Sequence, residues 1–93
     1  MTFYNIYGVT DCPYCLHAQA LCMNKQVPYQ WIMMDWSKEA RELVKETFEW
    51  KTYPLITKSM FVNGEQTEVL IGGYDELTKL LSVGKQDIQW EMT

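Results

Sequence analysis

A single α/β domain is predicted for this chain: a four-stranded mixed sheet in the order β-α-β-α-β-β-α, with helices on both faces. Three observations lead there. The chain has 93 residues with 47% hydrophobic and 14% aromatic content, enough for one folded core and not for two. Runs rich in aromatic and β-branched residues alternate with stretches of helical period. The last two β-rich runs meet at Asn63-Gly64, a dipeptide that accepts positive φ at both positions and so suits a tight hairpin.

Each element has its own justification. Thr2–Tyr7 ("TFYNIY") is short, aromatic and β-branched and reads as a strand, with a turn at Gly8. Pro13 suits the first turn of a helix. Cys15, Ala18 and Cys22, with Leu21 beside them, then mark the apolar face of a helix from Pro13 to about Lys25. Pro28 restarts the chain, and Tyr29–Met34 ("YQWIMM") reads as a buried strand. Ser37 is an N-cap with Glu39 in the first turn. Ala40, Leu43, Val44 and Phe48 share one face of a helix over Lys38–Glu49. Pro54–Val62 and Glu65–Ile71 form the hairpin, and "GGYDELTKLL" opens a third helix with Leu77, Leu80 and Leu81. The first two strands, joined through a helix, are expected to be parallel with a right-handed crossover, and the last two antiparallel. That is the layout of a thioredoxin-like fold. The tail after residue 83 carries no clear period.

Composition excludes several function classes. Twelve acidic against eight basic residues give a net charge of −4 with no basic cluster, which opposes nucleic-acid binding. No segment approaches the roughly 18 apolar residues of a membrane span. The N-terminus lacks the charged and apolar regions of a signal peptide. Three cysteines, one close pair and one alone, do not make a secreted disulfide framework, so a reducing cytoplasm is the expected location.

The pair lies in "DCPYC", Asp11–Cys15. Two thiols at this spacing can do redox chemistry, hold a metal or simply pack. A closed zinc site needs four ligands, usually as two separated pairs, and the remaining His17 and Cys22 sit on the same short helix. No metal site is therefore expected. At a helix start, free N–H groups and the helix dipole favour a thiolate on Cys12. Cys15, one turn later and more enclosed, is placed to resolve a mixed disulfide formed there. Cys22 reads as a core residue, His17 as a rim residue, and Trp31, Trp36, Trp50 and Trp90 as core and rim packing.

Taken together, "CPYC", then "TYP" (Thr52-Tyr53-Pro54), then "IGGYDEL" (Ile71–Leu77) resemble the dithiol glutaredoxin family, in a compact, phage-like form. The resemblance runs from about Phe3 to Leu81. It implies Cys12 as nucleophile and Cys15 as resolving thiol, with glutathione as co-substrate. It also implies a cis bond before Pro54, with the backbone of Tyr53 free for β-like pairing to the cysteinyl unit of glutathione. The γ-glutamyl end would go to Gly73, Tyr74 and Asp75, where a helix N-terminus also attracts a carboxylate in its own right. Glu76 would serve as partner of the amino group, Lys51 would take the glycyl carboxylate, and Tyr14 would shape the thiol pocket. Disulfide-containing proteins are the implied substrates, ribonucleotide reductase among them, and a monomer the implied state.

Three departures accompany the resemblance. Val9 stands where the family carries Lys or Arg. Asp11 sets a carboxylate beside Cys12, at an expected cost to the thiolate of about 0.5–1 kcal/mol, against up to roughly 2 kcal/mol from the helix terminus. The hairpin between Pro54 and Gly72 is longer than usual. The expectation is a reactive Cys12 whose pKa is high for the family. Two alternatives stay open: a redoxin served by thioredoxin reductase, which Val9 favours, and an iron–sulfur scaffold ligated by Cys12 and glutathione, which Pro13, Tyr14 and Cys15 oppose.

Overall fold

The computed structural model describes residues 2–81; the tail at 84–93, with Trp90, lies outside the described residues. The elements run β1 (Thr2–Gly8), α1 (Pro13–Lys25), β2 (Tyr29–Met33), α2 (Lys38–Phe48), β3 (Leu55–Val62) and β4 (Glu65–Gly72), then helix α3 over residues 74–81. The four strands form one sheet in the order β2-β1-β3-β4. β1 and β2 are parallel, and both β1–β3 and β3–β4 are antiparallel. This is the thioredoxin-like arrangement.

Strand alternation gives the sheet two faces of different chemistry. On one face, Tyr4 and Ile6 of β1 join Ile56 of β3, Ala18 and Cys22 of α1, and Leu77 of α3 in one core cluster. Ile6, Ile56 and Leu77 are fully buried, each contributing about 1.5–3 kcal/mol of apolar transfer. The predicted face of α1 is the buried one, with Cys15, Ala18 and Cys22 inside. The helix starts on Pro13 and stops at Gln26, which turns left-handed and returns its N–H to the carbonyls of Cys22 and Met23.

The opposite face carries a polar network. Asn5 Nδ2 donates to Thr57 Oγ1 at 3.0 Å and to Ser59 Oγ at 2.8 Å. The hydroxyls of Thr57 and Tyr7 both donate to Glu68 Oε2, at 2.5 and 2.7 Å. Asn5, Thr57 and Ser59 are buried, so these bonds replace lost water. The register sets Asn5 opposite Thr57 and Ser59 opposite Glu68. A one-residue slip would turn each of these side chains to the other face. The network thereby helps fix where β3 begins, and with it the position of Pro54. α2 lies on this second face, with the Phe48 ring 6.3 Å from that of Tyr7.

Several expectations need correction. Gly8 is the last residue of β1, paired with Met33, and the turn expected there follows directly, at Thr10 and Asp11; the Gly8 carbonyl accepts from Met34 N–H at 2.8 Å. β2 ends at Met33 and is a half-exposed edge strand, not a buried one, because among the described residues only β1 flanks it. α2 ends at Phe48, where Glu49 takes a left-handed cap conformation at φ 54°. Leu43 is 64% exposed: the inward stripe is Ala40, Val44 and Phe48 at i, i+4 and i+8, and Leu43 falls outside it. Trp36 is 74% exposed and packs in no core. The hairpin behaves as read, with φ of 54° at Asn63 and 81° at Gly64.

Cys22 is a fully buried free thiol. Burial pushes it up to about 11, above the roughly 8.5 of an unfolded chain. A folded-state pKa raised in this way favours the folded protein below the unfolded value and loses that contribution as pH rises through the folded one. Urea unfolding of the oxidised protein is therefore expected to lose about 2–3 kcal/mol between pH 8.5 and 11 on account of Cys22. Cys22→Ala should flatten that part of the profile. Tyr7, raised by burial and by the Glu68 carboxylate, adds its own loss at still higher pH. An identical alkaline slope in Cys22→Ala would refute the assignment.

Candidate active site

The site forms where β1 hands over to α1. After Gly8 the chain turns through Val9–Asp11, and Asp35, just beyond β2, holds that turn in place. Thr10 N–H donates to both carboxylate oxygens of Asp35, at 3.1 and 3.0 Å, and the Thr10 hydroxyl donates to Oδ2. These bonds, with the nearby Arg41, keep the Asp35 carboxyl below its usual range. Asp11 then takes a left-handed conformation at φ 56°, which delivers Cys12 as the N-cap of α1.

As N-cap, Cys12 is extended, with φ −118° and ψ 94°. Its carbonyl accepts from Cys15 and Leu16 N–H at 3.1 and 3.3 Å, and its sulfur accepts from Cys15 N–H at 3.1 Å. This is the arrangement of a capping side-chain oxygen, with sulfur in its place. Negative charge developing on that sulfur meets an N–H donor and the positive end of the helix. Cys12 and Cys15 are joined in a disulfide with Cα atoms 5.2 Å apart. Cys12 is half-buried and Cys15 fully buried. Cys12 lines a shallow recess with Asp11, Pro13, Leu16 and His17.

A groove of about 430 Å³ lies beside the pair, walled by Tyr14, Trp50, Thr52, Tyr53, Pro54 and the start of α3 from Gly73 to Glu76. The Tyr53–Pro54 bond is cis. The Tyr53 hydroxyl donates to the carbonyl of Arg41 at 3.1 Å, while Arg41 Nη1 donates to the carbonyls of Met34 and Asp35, both at 3.0 Å. Arg41 thus links the Asp35 end of the CxxC turn, through its guanidinium, to the residue before Pro54, through its own carbonyl. At the other wall, Gly73 N–H donates to Glu76 Oε1 at 2.9 Å, the return half of a capping box. Glu76 packs across Gly72, where a Cβ would fall 2.7 Å from its Cγ. The rings of Tyr14 and Tyr74 sit 5.9 Å apart, and His17 stands 5.8 Å from each.

The fold therefore brings Tyr14, Tyr53, Pro54, Gly73, Tyr74 and Asp75 to one groove beside Cys12 and Cys15. Lys51 is not among the groove residues. It is exposed and lines a neighbouring hollow with Glu42, Lys45, Glu46 and Glu49, with Trp50 as the shared wall. Sequence reasoning missed Trp50 as a groove wall, Thr52, and the Asp35 tether. Asp35 carries no local signal, since its partner Thr10 is 25 residues away in the chain. Among the described residues no group of three or more His, Cys, Asp and Glu is arranged to hold a metal, and no helix is long and apolar enough to cross a membrane.

Asp11, exposed and next to Cys12, opposes the thiolate. Asp11→Asn is expected to lower the Cys12 pKa by about half a unit, read from the ultraviolet absorbance of the thiolate in the reduced protein. An unchanged or raised value would remove Asp11 from the account.

Comparison with known proteins agrees with this geometry. The sequence model of the family described as Glutaredoxin matches residues 5–65, well over half of the chain. No curated protein matches the chain in sequence. Among solved structures, glutaredoxin from Brucella melitensis is 30% identical with a TM-score of 0.63, covering 94% of this chain and 86% of its own. A dithiolic glutaredoxin from Trypanosoma brucei brucei is 26% identical with a TM-score of 0.63, covering 90% and 81%. A buckwheat glutaredoxin–glutathione complex shares the fold at 22% identity with a TM-score of 0.66, covering 88% and 70%. A half-accessible thiol at a helix start, bonded to a buried one in the fold these proteins share, makes the chain a thiol–disulfide oxidoreductase that belongs to the glutaredoxin family.

Proposed function

We propose that this protein is a glutathione-dependent reductase of protein disulfides and of glutathione mixed disulfides. It works as a single-domain monomer in the cytoplasm, with ribonucleotide reductase as one client. The observation that carries the reading is the asymmetry of the pair beside the groove: Cys12 is half-exposed at the helix start and Cys15 is fully buried behind it.

The chemistry balances as two exchanges. The Cys12 thiolate attacks one sulfur of a substrate disulfide; a Cys12–substrate bond forms, and the other substrate sulfur leaves as a thiolate that takes a proton. Cys15 loses its proton and attacks the Cys12 sulfur, expelling the second substrate thiolate and leaving the Cys12–Cys15 disulfide. The substrate gains two electrons and the protein loses them. Two glutathione thiols restore the pair and leave as glutathione disulfide. When the substrate is itself a glutathione mixed disulfide, Cys12 takes the glutathionyl sulfur and a second glutathione removes it, so Cys15 is dispensable.

The groove suits the γ-glutamyl end of glutathione, which carries both an ammonium and a carboxylate. Asp75 supports the ammonium, and the remaining first-turn N–H groups of α3 support the carboxylate. The cysteinyl unit lies along Tyr53, as in the family. A reading in which thioredoxin reductase supplies the electrons draws on Val9 and on the outward position of Lys51. Exchange of electron donor decides between them: turnover with glutathione and glutathione reductase, and little with thioredoxin reductase, is expected. The reverse result would overturn the glutathione assignment.

A further inference from the structure

We infer that the protein partners of this reductase present their disulfide within a basic, aromatic-compatible segment, selected by the charge of the recess that Cys12 lines and of the groove that begins at Tyr14. The inference rests on the reductase reading above and names the partner's chemistry. The recess that Cys12 lines contains Asp11, and the groove walled by Tyr14 and the start of α3 contains Asp75 and Glu76. Among the described residues lining either of them, none is Lys or Arg.

The nearby cations have other positions. Arg41 donates to the carbonyls of Met34 and Asp35. Lys45 sits 5.4 Å over the Tyr53 ring, and Lys51 lines the separate hollow beside α2. The starts of α1 and α3 each contribute a positive end equivalent to roughly half a charge, and the carboxylates of Asp11, Asp75 and Glu76 together outweigh them. An anionic segment laid across both recesses therefore meets net repulsion, and only a local zwitterion such as a γ-glutamyl head finds complementary groups. A segment with Lys or Arg beside its cysteine meets carboxylates in both recesses. It also meets the rings of Tyr14, Trp50 and Tyr74, whose faces attract cations. Complementary charge of this kind raises the rate of productive encounter and suppresses wrong partners.

The test compares two disulfide-linked peptides of equal length, one with Lys on either side of the cysteine and one with Glu, each with the same neighbouring Tyr. At low ionic strength the Lys peptide is expected to be reduced about tenfold faster, measured as the rate constant per unit peptide. The ratio should fall toward one in 1 M salt, where the screening length is about 3 Å, and should shrink in Asp11→Asn/Asp75→Asn. A ratio of one or below at low salt overturns the inference, as does a ratio unchanged by the double variant. Turnover of a small glutathione mixed disulfide, measured alongside, reports on the reductase reading separately. Normal glutathione turnover with a ratio of one defeats only the partner inference. Absent glutathione turnover with the ratio intact defeats only the glutathione assignment.

Discussion

Cys12→Ser is expected to abolish reduction of both protein disulfides and glutathione mixed disulfides, with losses of at least about a thousandfold, because no other accessible thiolate can begin the exchange. Cys15→Ser should behave differently. It should keep most of its activity on glutathione mixed disulfides and lose reduction of protein disulfides, since only the second exchange needs Cys15. The structure makes the contrast sharp: Cys15 is fully buried, so no large substrate reaches it directly, and its route to reaction runs through Cys12. Cys22 cannot substitute, being buried with its thiol pushed up to about 11. A glutathione-coupled assay on the three proteins, with mass spectrometry of the trapped mixed disulfide, separates the roles. Residual turnover in Cys12→Ser, or equal loss in both variants, would refute the division of labour.

Gly8→Val is expected to cost about 2–3 kcal/mol of stability and to lower turnover as well. A Cβ at position 8 would lie 2.8 Å from Trp31 Cη2, 3.2 Å from Cζ2 and 3.3 Å from the Cβ of Cys15. The indole of Trp31 packs against the core cluster and cannot yield freely. The added methyl groups therefore press on the helix start that carries the reactive pair. Gly64→Ala supplies the contrast. Nothing lies within 4 Å of a Cβ there, but φ is +81°, so the cost is backbone strain of about 1 kcal/mol, with turnover unchanged. Denaturant unfolding and the glutathione-coupled assay on both variants check this. Equal costs at the two glycines, or full activity in Gly8→Val at reduced stability, would contradict the packing account.

Local rules carried the reading of the fold a long way. Pro13 and the spacing of Cys15, Ala18 and Cys22 located α1 to the residue, because capping and helical period are properties of neighbours in the chain. Asn63-Gly64 located the hairpin for the same reason. The errors fell where a neighbour in space decides. Gly8 does precede a turn, but what its sequence neighbours do not show is that it completes β1 at a point where Trp31 and Cys15 leave no room for a side chain. The run Tyr29–Met34 is as apolar as a central strand, yet β2 is an edge strand, since sheet order comes from the crossover and not from composition. Leu43 belongs by hydropathy to the inner face of α2, and the geometry of the stripe leaves it outside.

The candidate site divides in the same way. The sequence by itself determined the CxxC pair and the position of Cys12 at a helix start, because each lies within a few consecutive residues. Only the tertiary structure decided that Asp35 holds the turn before Cys12, that Trp50 walls the groove while Lys51 lies outside it, and that Glu76 caps its own helix. It also decided that the two recesses beside the disulfide carry carboxylates and no Lys or Arg among the described residues. These features depend on side-chain direction and on contacts between residues far apart in the chain, which no local pattern encodes.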